Sequence, residues 1–135
     1  MLFRSRVFSE SWKTHGFGGW LVTDKSSGQI FGECNFDREE MGEGDIELGY
    51  SFAKAYWGKG YATEAARAAV RWGFEYASMD RIVAVVVPEN IGSWKVLEHL
   101  GFVYERDAHF YDLGVVYYAV TPEQFDPADA YFQVI

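Results

Sequence analysis

The chain has 135 residues, 49% of them hydrophobic and 19% aromatic, with three prolines and a single cysteine, Cys34. That is enough apolar material for one packed domain, and it excludes a disordered composition, an internal disulfide framework and a cysteine-based zinc site. The formal net charge of −8 opposes general nucleic-acid binding, which rests on Lys and Arg neutralising phosphates, and suits either a cationic partner such as an amine or simple solubility.

No apolar run approaches the roughly 20 residues of a membrane span, and no apolar stretch of signal-peptide type follows Met1 to Arg6. The expectation is a cytoplasmic protein with no membrane, nucleic-acid or metal partner. One domain over 1–135 is expected, with a short N-terminal segment (1–16), a core (17–120) and a C-terminal tail (121–135).

Residues 1–16 leave room for one helix around Arg4–Lys13. The first β-rich run, Phe17 to Thr23, is followed by the turn cluster Asp24-Lys25-Ser26-Ser27-Gly28 and then by Gln29 to Phe36, which reads as a hairpin. A charged, Gly-containing break from Arg38 to Gly44 leads to Asp45 to Phe52. There Ile46, Leu48, Tyr50 and Phe52 alternate with Glu47, Gly49 and Ser51, so the two sets face opposite sides of a strand.

The period then changes. Ala66, Ala69, Val70, Gly73, Phe74 and Ala77 recur at spacings of three and four, one face of an amphipathic helix. Arg81 to Val87 is a nearly continuous β-branched run, which reads as a strand buried on both sides and ended by Pro88. A second helix starts after Asn90, an effective N-cap residue, and runs to about His99, where Gly101 stops it. Strands over Phe102–Ala108 and Val115–Val120 follow. The order predicts an α/β (α+β) fold in which a mixed, mostly antiparallel sheet carries packed helices.

Chemistry concentrates at Tyr56-Trp57-Gly58-Lys59-Gly60-Tyr61-Ala62-Thr63-Glu64-Ala65, between a strand and a helix. Two glycines permit a tight turn and close approach of a ligand, and the first N–H groups of the helix form an anion site. Strand-to-helix turns often carry glycine without binding anything, so the loop alone is a weak signal. The nucleotide-binding pattern Gly-x-x-x-x-Gly-Lys-[Ser/Thr] has no match, and Thr63 stands where Gly-x-Gly-x-x-Gly would need its third glycine.

Three blocks carry a more specific signal: Glu47-Leu48-Gly49-Tyr50, the Tyr56–Ala65 loop, and Asn90-Ile91-Gly92-Ser93-Trp94-Lys95-Val96-Leu97-Glu98-His99-Leu100-Gly101-Phe102. Together, and in this order, they resemble a GNAT-superfamily N-acetyltransferase, nearest to the RimJ/RimL-type ribosomal-protein N-terminal acetyltransferases, over roughly Gly18 to Val120. The resemblance implies a central splayed strand pair, helices on both faces of the sheet, and acetyl-CoA as acyl donor to a primary amine, either a protein N-terminus or a small molecule.

By that resemblance, backbone N–H groups of Gly58, Lys59, Gly60, Tyr61, Ala62 and Thr63 hold the coenzyme A diphosphate. Trp57 takes the place of the family's Gln or Arg. Lys59 adds a charge or is a solvated surface lysine. The pantetheine arm enters the opening between the strand ending at Phe52 and the strand Arg81–Val87, with donors at about Ser51–Phe52 on the acetyl carbonyl. Glu47 is the candidate general base, against a solvated or salt-bridged glutamate, and Glu33 is a secondary candidate. Asn90 caps its helix and bonds the pantetheine. Ser93 protonates or orients the leaving thiolate, or has only a capping role. The tyrosine that many members place four residues before Gly-Phe is absent, since Leu97 stands there.

His99 is read as a helix-end residue, His15 and His109 as surface or acceptor-side residues, and Cys34 as a small buried hydrophobe. Phe110 and Tyr111 are placed on an acceptor-side loop. The family's first strand and first helix are expected to be missing, which would expose a sheet edge and favour a homodimer. The competing functional class is a non-catalytic acyl-CoA-binding or regulatory module of the same fold.

Overall fold

The computed structural model describes residues 2–4, 18–24, 26–38, 44–110 and 112–130. The expected hairpin forms from β2 (Gly19–Thr23) and β3 (Ile30–Arg38). Its turn is held by the Asp24 carboxylate, which accepts from the backbone N–H groups of Ser26 and Ser27, both at 2.8 Å. β4 (Ile46–Phe52) pairs antiparallel with β3, and β5 (Ile82–Val86) pairs parallel with β4. β6 (Val103–Phe110) and β7 (Leu113–Val120) close the sheet as a hairpin, with β7 against β5.

A three-residue strand at the start, β1 (Leu2–Arg4), pairs antiparallel with β2 and completes the order β1-β2-β3-β4-β5-β7-β6. This corrects one expectation: the N-terminal strand is present. It covers β2 over Leu21–Thr23, so the exposed-edge argument for a homodimer loses its premise at those positions. A three-residue edge strand carries too few alternations to stand out in sequence. Arg4, where the expected helix would begin, is instead the last residue of β1, and the rest of that helix, together with His15, lies outside the described residues.

Two helices pack on one face. α1 (Tyr61–Glu75) buries Ala65, Ala66, Ala68, Ala69, Val70, Trp72 and Gly73. Its alanines let the helix lie close to the sheet, and its Trp72 ring meets Trp20 edge-on at 5.0 Å and lies 6.1 Å from Phe36. α2 (Ile91–Leu100) contributes fully buried Leu97 and Leu100 to the same core, which also takes Phe36, Leu48, Ile82, Ala84 and Val120 from the sheet. Truncating Leu97 to Ala there would cost about 2 to 5 kcal/mol. Leu97, at the position where the resemblance expects a tyrosine, is therefore core and brings no hydroxyl there.

α2 ends at Gly101, whose φ of 100° is left-handed, and the backbone of Phe102 bonds back to Leu97 O at 3.0 Å. A Cβ at Gly101 would stand 2.2 Å from Gln124 O, so the segment after β7 also requires glycine there. The opposite sheet face carries a smaller cluster of Val83, Tyr117 and Ala119 backed by Val85 and Ala108, with the Arg106 guanidinium 4.3 Å from the Tyr117 ring centroid. β5 is thus buried on both sides, as its β-branched run predicts. Among the described residues no helix covers that second face, and none is long and apolar enough to cross a membrane.

Candidate active site

The sheet opens where β4 leaves β5. Only Ile46↔Ile82 and Glu47↔Val83 are paired, while the rest of β4 diverges from Ala84–Val86. At the closed end Arg81 bridges Asp45 just before β4 (3.6 Å) and Glu105 on β6 (2.6 Å). The N-terminal ends of both helices lie over the open end. Together these elements bound a cleft of about 740 Å³, large enough for a cofactor-sized ligand.

The loop before α1 behaves as its glycines require. Gly58 and Gly60 have φ of 75° and 81°, in the left-handed region that side chains avoid. Gly60 is the N-cap of α1, and as a glycine it offers no side-chain oxygen to the first turn. Tyr61, Ala62 and Thr63 line the cleft, and their amides precede the first helical hydrogen bond, from Glu64 N to Gly60 O. Amides so placed, with the positive end of the helix dipole behind them, suit an anion. Trp57, 63% exposed, donates its indole N–H to Phe52 O at 2.7 Å, which ties the loop to the end of β4.

α2 presents a different N-terminus. The Asn90 side-chain oxygen accepts from Ser93 N at 3.2 Å, a normal N-cap. Ser93 is in turn met by Tyr50, whose hydroxyl lies 3.0 Å from Ser93 Oγ and donates to Ser93 O at 3.0 Å. Burial pushes the Tyr50 phenol up to about 12, against the opposing hydrogen bond from Ser93.

Of the residues singled out in sequence, Ser51, Phe52, Trp57, Gly58, Gly60, Tyr61, Ala62, Thr63, Asn90 and Ser93 line the cleft; Lys59 and Glu47 do not. The Lys59 ammonium sits 6.0 Å from the Tyr56 ring. Glu47 stands at the closed end of the split beside Val83. Its side chain is turned by alternation to the sheet face away from the helices. Glu33 faces Ser51 across β3 and β4.

The register also separates Ser51 from Phe52. Ala53 N bonds Phe31 O, and backbone direction alternates along an antiparallel pair. The N–H of Ser51 is therefore turned to β3, while those of Tyr50 and Phe52 are turned into the split. Ser51 lines the cleft but does not offer the expected amide.

Sequence reasoning passed over Tyr50, Tyr56, Glu89, Ile91, Gly92, Lys95, Val96 and His99, which also line the cleft. Alternation had placed Tyr50 on one side of β4 with Ile46, Leu48 and Phe52, and the structure shows that side to be the helix-covered one. Lys95 and His99 are four apart on α2, the spacing of one helix face. His99 does lie in the last turn of α2, and Arg67 donates to its carbonyl at 3.1 Å. Cys34 is fully buried and its thiol is pushed up to about 12 by desolvation. His109 is exposed on β6. Phe110 ends β6, and Tyr111 lies outside the described residues.

Comparison with known proteins agrees with this geometry. Residues 2–103 match the family described as "Acetyltransferase (GNAT) domain". The chain is 36% identical to an uncharacterized N-acetyltransferase of Bacillus subtilis, YjdG, over 67% of this chain and 54% of that protein. It spans about half the length of the curated relatives it matches. A GNAT-family acetyltransferase structure from Bordetella pertussis superposes with a TM-score of 0.76 at 25% identity, covering 82% of this chain and 70% of that one. A ribosomal-protein-S5-alanine acetyltransferase from Vibrio fischeri gives 0.75 at 27% identity, covering 88% and 69%.

Proposed function

The chain belongs to the GNAT acetyltransferase family, and on that premise we propose that it moves the acetyl group of acetyl-CoA to a primary amine by direct attack in a ternary complex. The observation that carries this reading is the N-terminus of α1, uncapped by any side chain, at a cleft that continues into the β4–β5 split.

The diphosphate sits on the backbone N–H groups from Gly58 to Thr63, with Lys59 adding charge at the mouth. The pantetheine arm lies in the split beside β4, with Asn90 and Ser93 on its other side. The acetyl carbonyl takes a backbone donor of β4, which stabilises the oxyanion of the tetrahedral intermediate.

Reach decides which donor. At about 3.3 Å per residue, Glu47 is about 10 Å along the strand from Tyr50 and about 17 Å from Phe52. A glutamate acting through a water serves an amine at an acetyl group held by Tyr50 N–H, not one held by Phe52 N–H. Glu47 takes the ammonium proton, the amine nitrogen attacks, and the C–S bond breaks with Ser93 beside the departing sulfur. The second nitrogen proton passes through water to the thiolate, giving the amide and CoA thiol.

The acceptor is a protein N-terminus or a small amine. The name of the Vibrio fischeri structure supports the first and the RimJ/RimL-type branch, while the net charge of −8 supports a cationic acceptor of either kind. Thiol release from acetyl-CoA with spermidine, amino acids and an alanine-terminated peptide as acceptors tests the reading. Glu47→Gln should lower kcat by about 100-fold or more with CoA affinity unchanged. Wild-type protein that binds CoA but transfers to none of these amines would favour an acyl-CoA-binding module instead.

A further inference from the structure

Tyr50 and Ser93 are 43 residues apart in sequence, yet their hydroxyl oxygens stand 3.0 Å apart on the wall of the cleft. Tyr50 reaches this point from β4, and Ser93 is the third residue of α2, at the helix's positive end. Leu97, one turn further along α2, is buried in the core and carries no hydroxyl. The Tyr50–Ser93 pair is the hydroxyl couple that β4 and α2 bring to that cleft wall.

Tyr50 has one proton and two acceptors within 3.0 Å, Ser93 O and Ser93 Oγ. When the proton goes to the carbonyl, the Ser93 hydroxyl is left to donate back to Tyr50. When it goes to Oγ, that oxygen is held as an acceptor, and the Ser93 proton is free to turn into the cleft. Burial keeps Tyr50 protonated across the ordinary pH range, so it can hold Ser93 in this second state without giving up its own proton.

Resting on the acetyl-transfer reading above, we infer that Tyr50 is a positioning residue that turns the Ser93 hydroxyl onto the sulfur of bound coenzyme A. No proton passes through Tyr50. The C–S bond breaks, sulfur leaves with the bonding pair, and the Ser93 O–H donates a hydrogen bond to that charge. A hydrogen bond given to a thiolate favours its ionised form, so the couple leaves a mark on the cofactor that needs no acceptor.

The test is the ionisation of the thiol of bound CoA, followed by thiolate absorbance across pH in wild type, Tyr50→Phe, Ser93→Ala and the double variant. Affinity for CoA and for adenosine 3′,5′-bisphosphate, a probe of the phosphate end, is measured alongside. The bound thiol should ionise about one pH unit higher in Tyr50→Phe and in Ser93→Ala than in wild type. The double variant should add little, because the two act as one unit. Glu89, Lys95 and His99 share the cleft, as do the phenols of Tyr56 and Tyr61, and they are common to all four proteins, so their fields cancel in the comparison.

Affinity for the bisphosphate should not change; a purely structural Tyr50 would disturb it and leave the thiol alone. Unshifted thiol ionisation in Tyr50→Phe, with CoA still bound, overturns this inference and leaves the acetyl-transfer reading standing. Failure of wild type to bind CoA at all overturns both.

Discussion

Two helices begin at the same cleft and begin differently. α1 starts from a left-handed glycine with no side-chain cap, so its first amides are presented to the cleft. α2 starts from Asn90, whose side chain takes the Ser93 amide, and the neighbouring Ser93 hydroxyl and carbonyl are engaged by Tyr50. The difference is one of charge. An uncapped N-terminus is the better partner for an anion because its donors and its dipole are both unspent. A capped one has spent a donor on its own side chain and offers hydroxyls to a neutral or weakly charged group. One cleft thus has an end suited to phosphate and an end suited to a thioester.

The largest effect should come from putting a carboxylate at the uncapped end. Gly60→Asp meets no steric obstacle, since nothing lies within 4 Å of a Cβ there, but the left-handed φ costs about 1 kcal/mol and the new charge faces the diphosphate. CoA affinity measured by calorimetry should fall at least about 100-fold, which is about 2.7 kcal/mol. Asn90→Asp, a carboxylate at the capped end, should cost less than about 10-fold. Equal losses at the two ends would erase the distinction between them.

Alkaline pH probes the hydroxyl end. The phenol of Tyr50 is raised from 10.0 to about 12 and the thiol of Cys34 from 9.0 to about 12, both by burial. A buried acid with a raised pKa stabilises the fold fully below its unfolded value and loses that contribution as pH climbs to its folded value. Stability should therefore hold to about pH 9 and fall by about 2 kcal/mol or more by pH 11. Denaturant midpoints across that range check it. Cys34→Ala should remove the part that begins near pH 9, and Tyr50→Phe the part that begins near pH 10.

Smaller effects follow from single bonds. Asn90→Ala removes the α2 cap and should cost about 1 kcal/mol in chemical unfolding. Trp57→Phe removes the bond to Phe52 O that steadies the loop before α1. It should lower CoA affinity by about 3- to 10-fold with little change in melting temperature. A larger stability loss from Trp57→Phe than from Asn90→Ala would mean that the loop, not the cap, supports the fold.

Much of the fold was legible because its signals are local. The 3.6-residue spacing of Ala66, Ala69, Val70 and Gly73 marked α1. Asn90 and Gly101 marked the ends of α2, and the β-branched run at 82–86 marked the strand buried on both sides. β1 was not legible, because three residues carry no period. The turn before α1 was legible because its left-handed positions need glycine, and Gly58 and Gly60 occupy them. The role of Ser51 was misread: an amide's direction depends on which neighbour its strand pairs with, and composition does not encode that.

The sequence by itself determined the elements from β2 onward, the glycine-bearing loop and the alternation that puts Tyr50 on one side of β4 and Glu47 on the other. These follow from backbone sterics and from residue periods of 2 and 3.6, which act over a few residues. Only the tertiary structure decided that β4 and β5 part after Glu47↔Val83, that Trp57 closes on Phe52, and that Tyr50 meets Ser93 from 43 residues away. Those contacts form when separate elements share one core, so their partners are set by packing and register across the whole sheet.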